Sequence, residues 1–422
     1  MNFKKPENPF FPDKPLPPSK FYGRNELIHQ IFLRNLQPLI DFSRSSMIWI
    51  YGERGIGKTS LADFLISKLE EENIFCLKID LSRIKTTEQL IETIIKQIIG
   101  ILNKTEKGPL VDFLNEAFKR YIESFELVPL LESVKIKIRT DRLKEDLPNY
   151  VMNFDKFLMN FALKLKEKAN YYGFLLVLDE INGLAKESDF ANLLKGLSDN
   201  LGHNCGVSIM ICGTREKREQ VVQNHPSTDR IFSMYEVFTL EIGEVARYIS
   251  EEFKHCNINF PARHSLSEYS TSTEFIANLS SCQPKIIQLF CRNIYDVNTD
   301  EKIDKLDVAL GFGKTQHDIK EYFIKGAYSD IQSKDYKQIL SLILDNEEIQ
   351  QLGFSRKELI PRLKKAVLDA KFDNFIQRMK KLKFIKEIEK GEYEFDSYFT
   401  KAALELCITE DKNLTKSLKK HK

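Results

Sequence analysis

YGERGIGKTS, residues 51–60, is the stretch whose reading decides the fold. It follows the apolar run MIWIY (47–51) and opens SLADFLISKLEEEN, where Leu61, Phe64, Leu65 and Leu69 recur at helical spacing. Gly52, Glu53, Arg54, Gly55, Ile56, Gly57, Lys58 and Thr59, with Ser60 next, fit the pattern G-x-x-x-x-G-K-[ST]. A strand, a glycine bend and a helix in that order make a phosphate cradle. The glycines let successive backbone N–H groups turn inward, and the helix adds the positive end of its dipole. Lys58 is expected to bring a point charge to the outer phosphates, and Thr59 a hydroxyl to a Mg2+ ion.

Four further strands are expected outward from the bend: NIFCLKIDL (73–81), FLLVLDE (174–180), VSIMICGT (207–214) and YEVFTLEI (235–242). Apolar strands alternating with helices imply an α/β fold, a parallel sheet covered on both faces. The third strand ends in Asp179 and Glu180. Beside a phosphate cradle, the first acid can hold the metal's water shell and the second can polarise an attacking water. That pair favours hydrolysis over mere binding. Thr214, at the end of the next strand, could sit between water and the terminal phosphate. Arg230, just before the last strand, could reach a neighbouring subunit's nucleotide and stabilise charge there. Arg215 and Arg218 compete with it for that role.

The remaining chain reads as additions to this core. From about residue 87 to 147 runs a mostly helical insertion broken by VKIKIRT (134–140), whose alternation predicts an exposed strand or hairpin. After Glu244 the pattern is helical to about Tyr328. GFGKT (311–315) imitates the phosphate motif, but Val308 stands where its first glycine belongs, so an ordinary turn is expected there. A final unit from about Lys334 offers a helix, SRKELIPRLKK, FDNFIQRMKKL, and a hairpin turning at Lys390–Gly391. Three helices closed by a hairpin make a winged helix. Its third helix carries Arg378, Lys380, Lys381 and Lys383, so residues 373–396 are the candidate contact for duplex DNA. The charged tail TEDKNLTKSLKKHK is expected to fray. The expected divisions are 1–20, a Pro-rich lead-in; 21–243, the core with its insertion; 244–330, a helical lid; 331–408, the winged helix; and 409–422, a basic tail.

Composition removes several alternatives. The 422 residues are 42% hydrophobic and 29% charged, enough for real cores, and a net charge of +2 gives no global argument for nucleic acid. No segment has the apolar length of a membrane span, and the N-terminus is too rich in proline and charge for a signal peptide. The seven cysteines form no CxxC pair, which suggests reduced thiols in a cytoplasm. Cys256 and His264 are the nearest approach to a metal-ligand pair.

FYGR (21–24), GERGIGKT, LVLDE, CGT, the arginine before the last strand and SCQPKIIQLFCRNI (281–294) together resemble the AAA+/STAND P-loop ATPases of the ASCE class. Within that class the resemblance is to the prokaryotic branch of origin-recognition initiators and transposition regulators. It covers roughly residues 10 to 300, and a C-terminal winged helix also occurs in that group. The resemblance implies strand order 5-1-4-3-2, ATP with Mg2+, and an adenine pocket formed partly by Tyr22, Gly23 and Arg24. It also implies a lid in which Pro284 contacts nucleotide and Lys285 senses phosphate, although Cys282 stands at the family's usual glycine and Asn182 at a usual acid. No guanine-reading NKxD stretch follows the core, which favours ATP. Three readings stay open: a hydrolytic switch that forms homo-oligomers or engages a partner protein, an ATP-licensed DNA-binding initiator or regulator, and a STAND-type signalling scaffold.

Overall fold

A computed structural model describes residues 5–104, 125–130, 133–138, 140–181, 183–201, 205–260, 272–345 and 352–420. It divides into two compact units, Pro15–Phe238 and the pairing of Met1–Lys14 with Thr239–Lys422.

The first unit is built on a five-stranded sheet. Its strands are β1 (Met47–Gly52) and β2 (Ile74–Asp80); then, after a separate antiparallel hairpin of β3 (Phe125–Leu130) and β4 (Ser133–Ile138), β5 (Gly173–Asp179), β6 (Val207–Gly213) and β7 (Ser233–Val237). The order is β2-β5-β6-β1-β7, all parallel, which is the expected 5-1-4-3-2. Every residue of β5 and β6 is buried, as a strand covered on both faces must be. Alternate residues of β1 feed two cores. Trp49 joins Phe75, Phe161, Phe174 and Phe190 on one face, while Ile48 and Ile50 join Leu61, Leu65, Val177 and Met210 on the other. The helix Lys58–Glu71 buries Leu61, Leu65 and Leu69 as its spacing requires, and Phe64 stacks on Phe21 at 4.9 Å.

The alternation at 134–140 is the second strand of the hairpin, and it ends where the long helix Thr140–Ala169 begins. Its partner FELVPL was not anticipated. The last core strand also differs from expectation: it runs 233–237, not 235–242. Beyond it, Glu241 and Glu244 form a reciprocal capping box that starts the helix Ile242–His255.

In the second unit, Phe10 packs between Tyr248 and Phe253, so the lead-in is structural rather than loose. Helices Ser272–Leu279, Pro284–Val297 and Lys305–Ile319 follow. GFGKT lies inside the last of these and is no turn. Gly311 is there because a Cβ would stand 3.0 Å from the backbone of Ile294 on the neighbouring helix. Further on come the helix Lys334–Leu344, β8 (Gly353–Ser355), helices Arg356–Lys365 and Phe372–Lys381, and the hairpin β9 (Ile385–Glu389) with β10 (Glu392–Phe395). The antiparallel order is β8-β10-β9, and Gly391 turns the hairpin at φ +83°. Phe354, Phe372, Phe375, Tyr393 and Phe395 pack between sheet and helices. The first part of the charged tail continues the helix Tyr398–Lys420. Among the described residues no helix is long and apolar enough to cross a membrane.

Candidate nucleotide site

The bend begins where β1 ends, at the carboxyl edge of the sheet. Gly52 is imposed by its neighbour strand, since a Cβ there would lie 2.6 Å from the Val237 carbonyl oxygen. Gly57 takes φ +92°, a conformation few side chains adopt, and hands the chain into the helix. The Lys58 ammonium folds back to donate to the carbonyls of Gly52 at 3.0 Å and Glu53 at 2.7 Å. Burial holds it below the usual lysine range, with Glu180 opposing. Ser60 accepts the Leu16 N–H at 3.0 Å and so ties the lead-in to the bend.

Asp179 closes β5 and is 4% exposed. The Thr59 hydroxyl hydrogen-bonds its carboxylate, and the Glu180 N–H donates to its Oδ1 at 3.0 Å. Burial raises the Asp179 carboxyl above its ordinary value, against the pull of Lys78 and Thr59. Glu180 itself is exposed at φ +58°. A non-glycine residue held there stores strain of about 1–3 kcal/mol, the kind found where a side chain must point a set way.

Tyr22, Gly23 and Arg24 form a turn with Gly23 at φ +76° and Arg24 at φ +60°. The turn brings the Arg24 guanidinium to the bend, where it donates to the carbonyls of Ile56 and Phe238. Glu53 and Arg54 are exposed at the bend's lip, and Gly55 takes φ +78°. Thr214 caps the helix Arg215–Asn224, its hydroxyl accepting from the Lys217 N–H at 3.3 Å. The three arginines separate clearly. Arg215 is paired with Glu236 and Arg218 with Asp229, whereas Arg230 stands exposed on the short helix Thr228–Ile231.

In the second unit, Ser281 and Cys282 take φ +48° and +53° just before Pro284. Cys282 thus occupies a glycine-favouring conformation at the position where the resembled family has glycine. Lys285 lies over the Phe323 ring at 4.5 Å. Asn182 and His264 lie outside the described residues.

Two residues at the site escaped the sequence reading. Lys78 on β2 places its ammonium 2.5 Å from Asp63 Oδ1 and 3.6 Å from Asp179 Oδ2. A lysine inside an otherwise apolar strand, and an aspartate four residues past Thr59, were the available signals.

Thr59 and Asp179 offer hard oxygen donors, the chemistry Mg2+ selects. Two protein oxygens are too few for its octahedron, so phosphates and water must complete the shell. Among the described residues no cluster of three or more His, Cys, Asp or Glu could hold a metal by itself. The residues therefore fit an ion that arrives with a nucleotide.

Residues 30–205 match the family model of the KAP family P-loop domain. The chain carries a P-loop NTPase domain. That match takes in both the bend and the Asp179–Glu180 pair and stops before Thr214 and Arg230. Over 87 residues the chain is 29% identical to the ORC1-type DNA replication protein 15 of Haloarcula marismortui, and that match spans 21% of each protein. A Walker-type ATPase of Pyrococcus abyssi superposes with a TM-score of 0.53 at 17% identity, over 91% of this chain and 96% of that one. The ORC2 protein of Aeropyrum pernix, solved with ADPNP and ADP, gives 0.55 at 10% identity, over 95% and 98%. At such identities what is shared is the ATPase fold.

Proposed function

We propose that the protein is a Mg2+-dependent ATPase that works as a molecular switch. The observation that carries this is the Thr59 hydroxyl bonded to the Asp179 carboxylate beside Lys58, with Glu180 held in a left-handed backbone conformation. When bound, the ion neutralises phosphate charge. Lys58 exchanges its contacts with the Gly52 and Glu53 carbonyls for the outer phosphates, and the N–H groups of Gly55, Gly57 and Thr59 cradle them. Glu180 takes a proton from water as the water attacks the terminal phosphorus and ADP leaves. Thr214 orients that water. Arg230, unlike its two paired competitors, is available to a second copy of the chain. Tyr22 and Arg24 flank the base and the bend, while Pro284 and Lys285 read the nucleotide from the helical segment 244–330. The nucleotide state then governs the lid, self-association and partner engagement. The division into core (21–243), lid (244–330) and C-terminal winged helix (331–408) belongs to this proposal. Its test is Glu180→Gln, expected to bind ATP normally while turnover falls by at least about 10²-fold. Undiminished hydrolysis removes the assignment.

A second reading has ATP licensing contact with duplex DNA; the Haloarcula relative is named a DNA replication protein. One observation favours it and moves the contact. Residues 373–396 hold six cations and six acids, a net charge of zero. The helix Arg356–Lys365 holds five cations against Glu358 alone, and Lys357, Arg362, Lys364 and Lys365 are exposed. A salt titration of duplex binding decides: affinity falling steeply with salt supports the reading, and no binding at low salt ends it.

A further inference from the structure

We propose that Lys78 is a positioning residue that sets the divalent-ion affinity of the nucleotide site, through a fixed positive charge beside Asp179. The inference rests on the nucleotide reading above and adds a residue outside the phosphate bend. Lys78 stands between Leu77 and Ile79, both buried, on a strand whose register sets Asp80 against Asp179. Its side chain is 25% exposed, and its ammonium reaches two carboxylates. Asp63 lies one helical turn past Thr59, so it shares the helix face that Thr59 turns toward Asp179. The three groups form a chain from the helix of the phosphate bend, through Lys78, to the strand end that receives the metal. These three groups together carry one net negative charge with Lys78 present and two without it. Stability alone is a poor reason for this arrangement, because partly exposed ion pairs contribute little. A lysine in an apolar strand is costly unless its charge is paired, and Asp63 and Asp179 supply the pairing. Its position one carboxylate away from the metal gives the charge a use: it keeps the site from retaining the ion after nucleotide leaves.

The test is a Mn2+ titration, read from the electron paramagnetic resonance signal of the free ion, on protein saturated with ADP. Lys78→Met should tighten Mn2+ by about tenfold, since one unit charge near a divalent ion is removed. Asp63→Asn should loosen it by a comparable factor, because Lys78 then loses the partner that balances it. Lys78→Arg should stay within about twofold of the parent, as charge is conserved. Opposite shifts for Lys78→Met and Asp63→Asn are what a merely structural ion pair would not give. Shifts in the same direction, or both within about twofold, overturn the proposal. Should Lys78→Met fail to fold, Asp63→Asn decides alone, and failure of the ion to loosen overturns it. Fluorescent ADP binding by the unmodified protein separates the two layers. If the parent takes no ADP, the nucleotide reading falls; if it binds Mn2+ with ADP and the variants do not shift, only Lys78's role falls.

Discussion

The phosphate bend and the hairpin-bearing segment 373–396 both read as contact sites in the sequence, the bend the more specific of the two, and they diverge further as structure. In the bend every notable residue converges. Lys58 folds back onto the Gly52 and Glu53 carbonyls, Thr59 bonds Asp179, and Gly52 and Gly57 are fixed by a neighbouring carbonyl and a left-handed backbone. In 373–396 several of the cations are answered locally. Lys380 is paired with Glu387, Lys386 with Glu394, and Arg378 donates to the Asp330 carbonyl. A motif defined by backbone need survives folding, because its geometry comes with it. A motif defined by side-chain charge can be cancelled by any element that folds against it.

The sharpest way to break that contrast is at Lys58. If the bend is a working cradle, Lys58→Ala loses a charge-assisted contact, and ADP affinity should drop on the order of 100-fold, about 3 kcal/mol. Thermal stabilisation by added ADP should vanish in the same variant. Retained stabilisation would make the bend no more functional than the hairpin.

A smaller effect tests whether Asp179 is placed for chemistry at a cost to the fold. Its folded carboxyl binds a proton more tightly than the reference value of 3.8, chiefly through burial. A group raised in this way favours the fold fully below its unfolded value, and the benefit is lost as pH rises through its folded value. At neutral pH the ionised, buried Asp179 is therefore a liability in metal-free protein. Asp179→Asn in the presence of a chelator should melt about 2–3 °C higher at pH 7, and the gain should fade toward pH 4. The same offset at every pH would show that burial of charge is not the cause.

The contrast also explains what the sequence could and could not disclose. The strand order and the site motifs were legible because the bend, the apolar strand ending in Asp179–Glu180 and the helical spacing of Leu61, Leu65 and Leu69 are local patterns. The end of β7 was not, because FTLEI alternates like a strand while Phe238 is left 66% exposed and a capping box begins the next helix. GFGKT read as a turn because the need for Gly311 lies in Ile294, on another helix. Lys78 and Asp63 stand fifteen residues apart, one on β2 and the other on the helix of the bend, and meet only where those two elements pack, which no local pattern announces.

The smallest expected effect separates two lysines of the C-terminal region. The Lys380–Glu387 pair is about one-third exposed on each side, and such a pair contributes roughly 0–1 kcal/mol. Lys380→Ala should shift Tm by less than about 2 °C and leave any duplex-binding salt slope unchanged, because its charge is already answered by Glu387. Lys365, exposed on the helix Arg356–Lys365, has an equally small part in stability. If that helix meets phosphates, Lys365→Ala should lower the slope of log affinity against log salt by about one. The pair of measurements therefore locates the anionic contact without relying on large losses. A slope reduced by Lys380→Ala and not by Lys365→Ala would return the contact to residues 373–396. It would also mean that the Glu387 pair opens when the partner arrives.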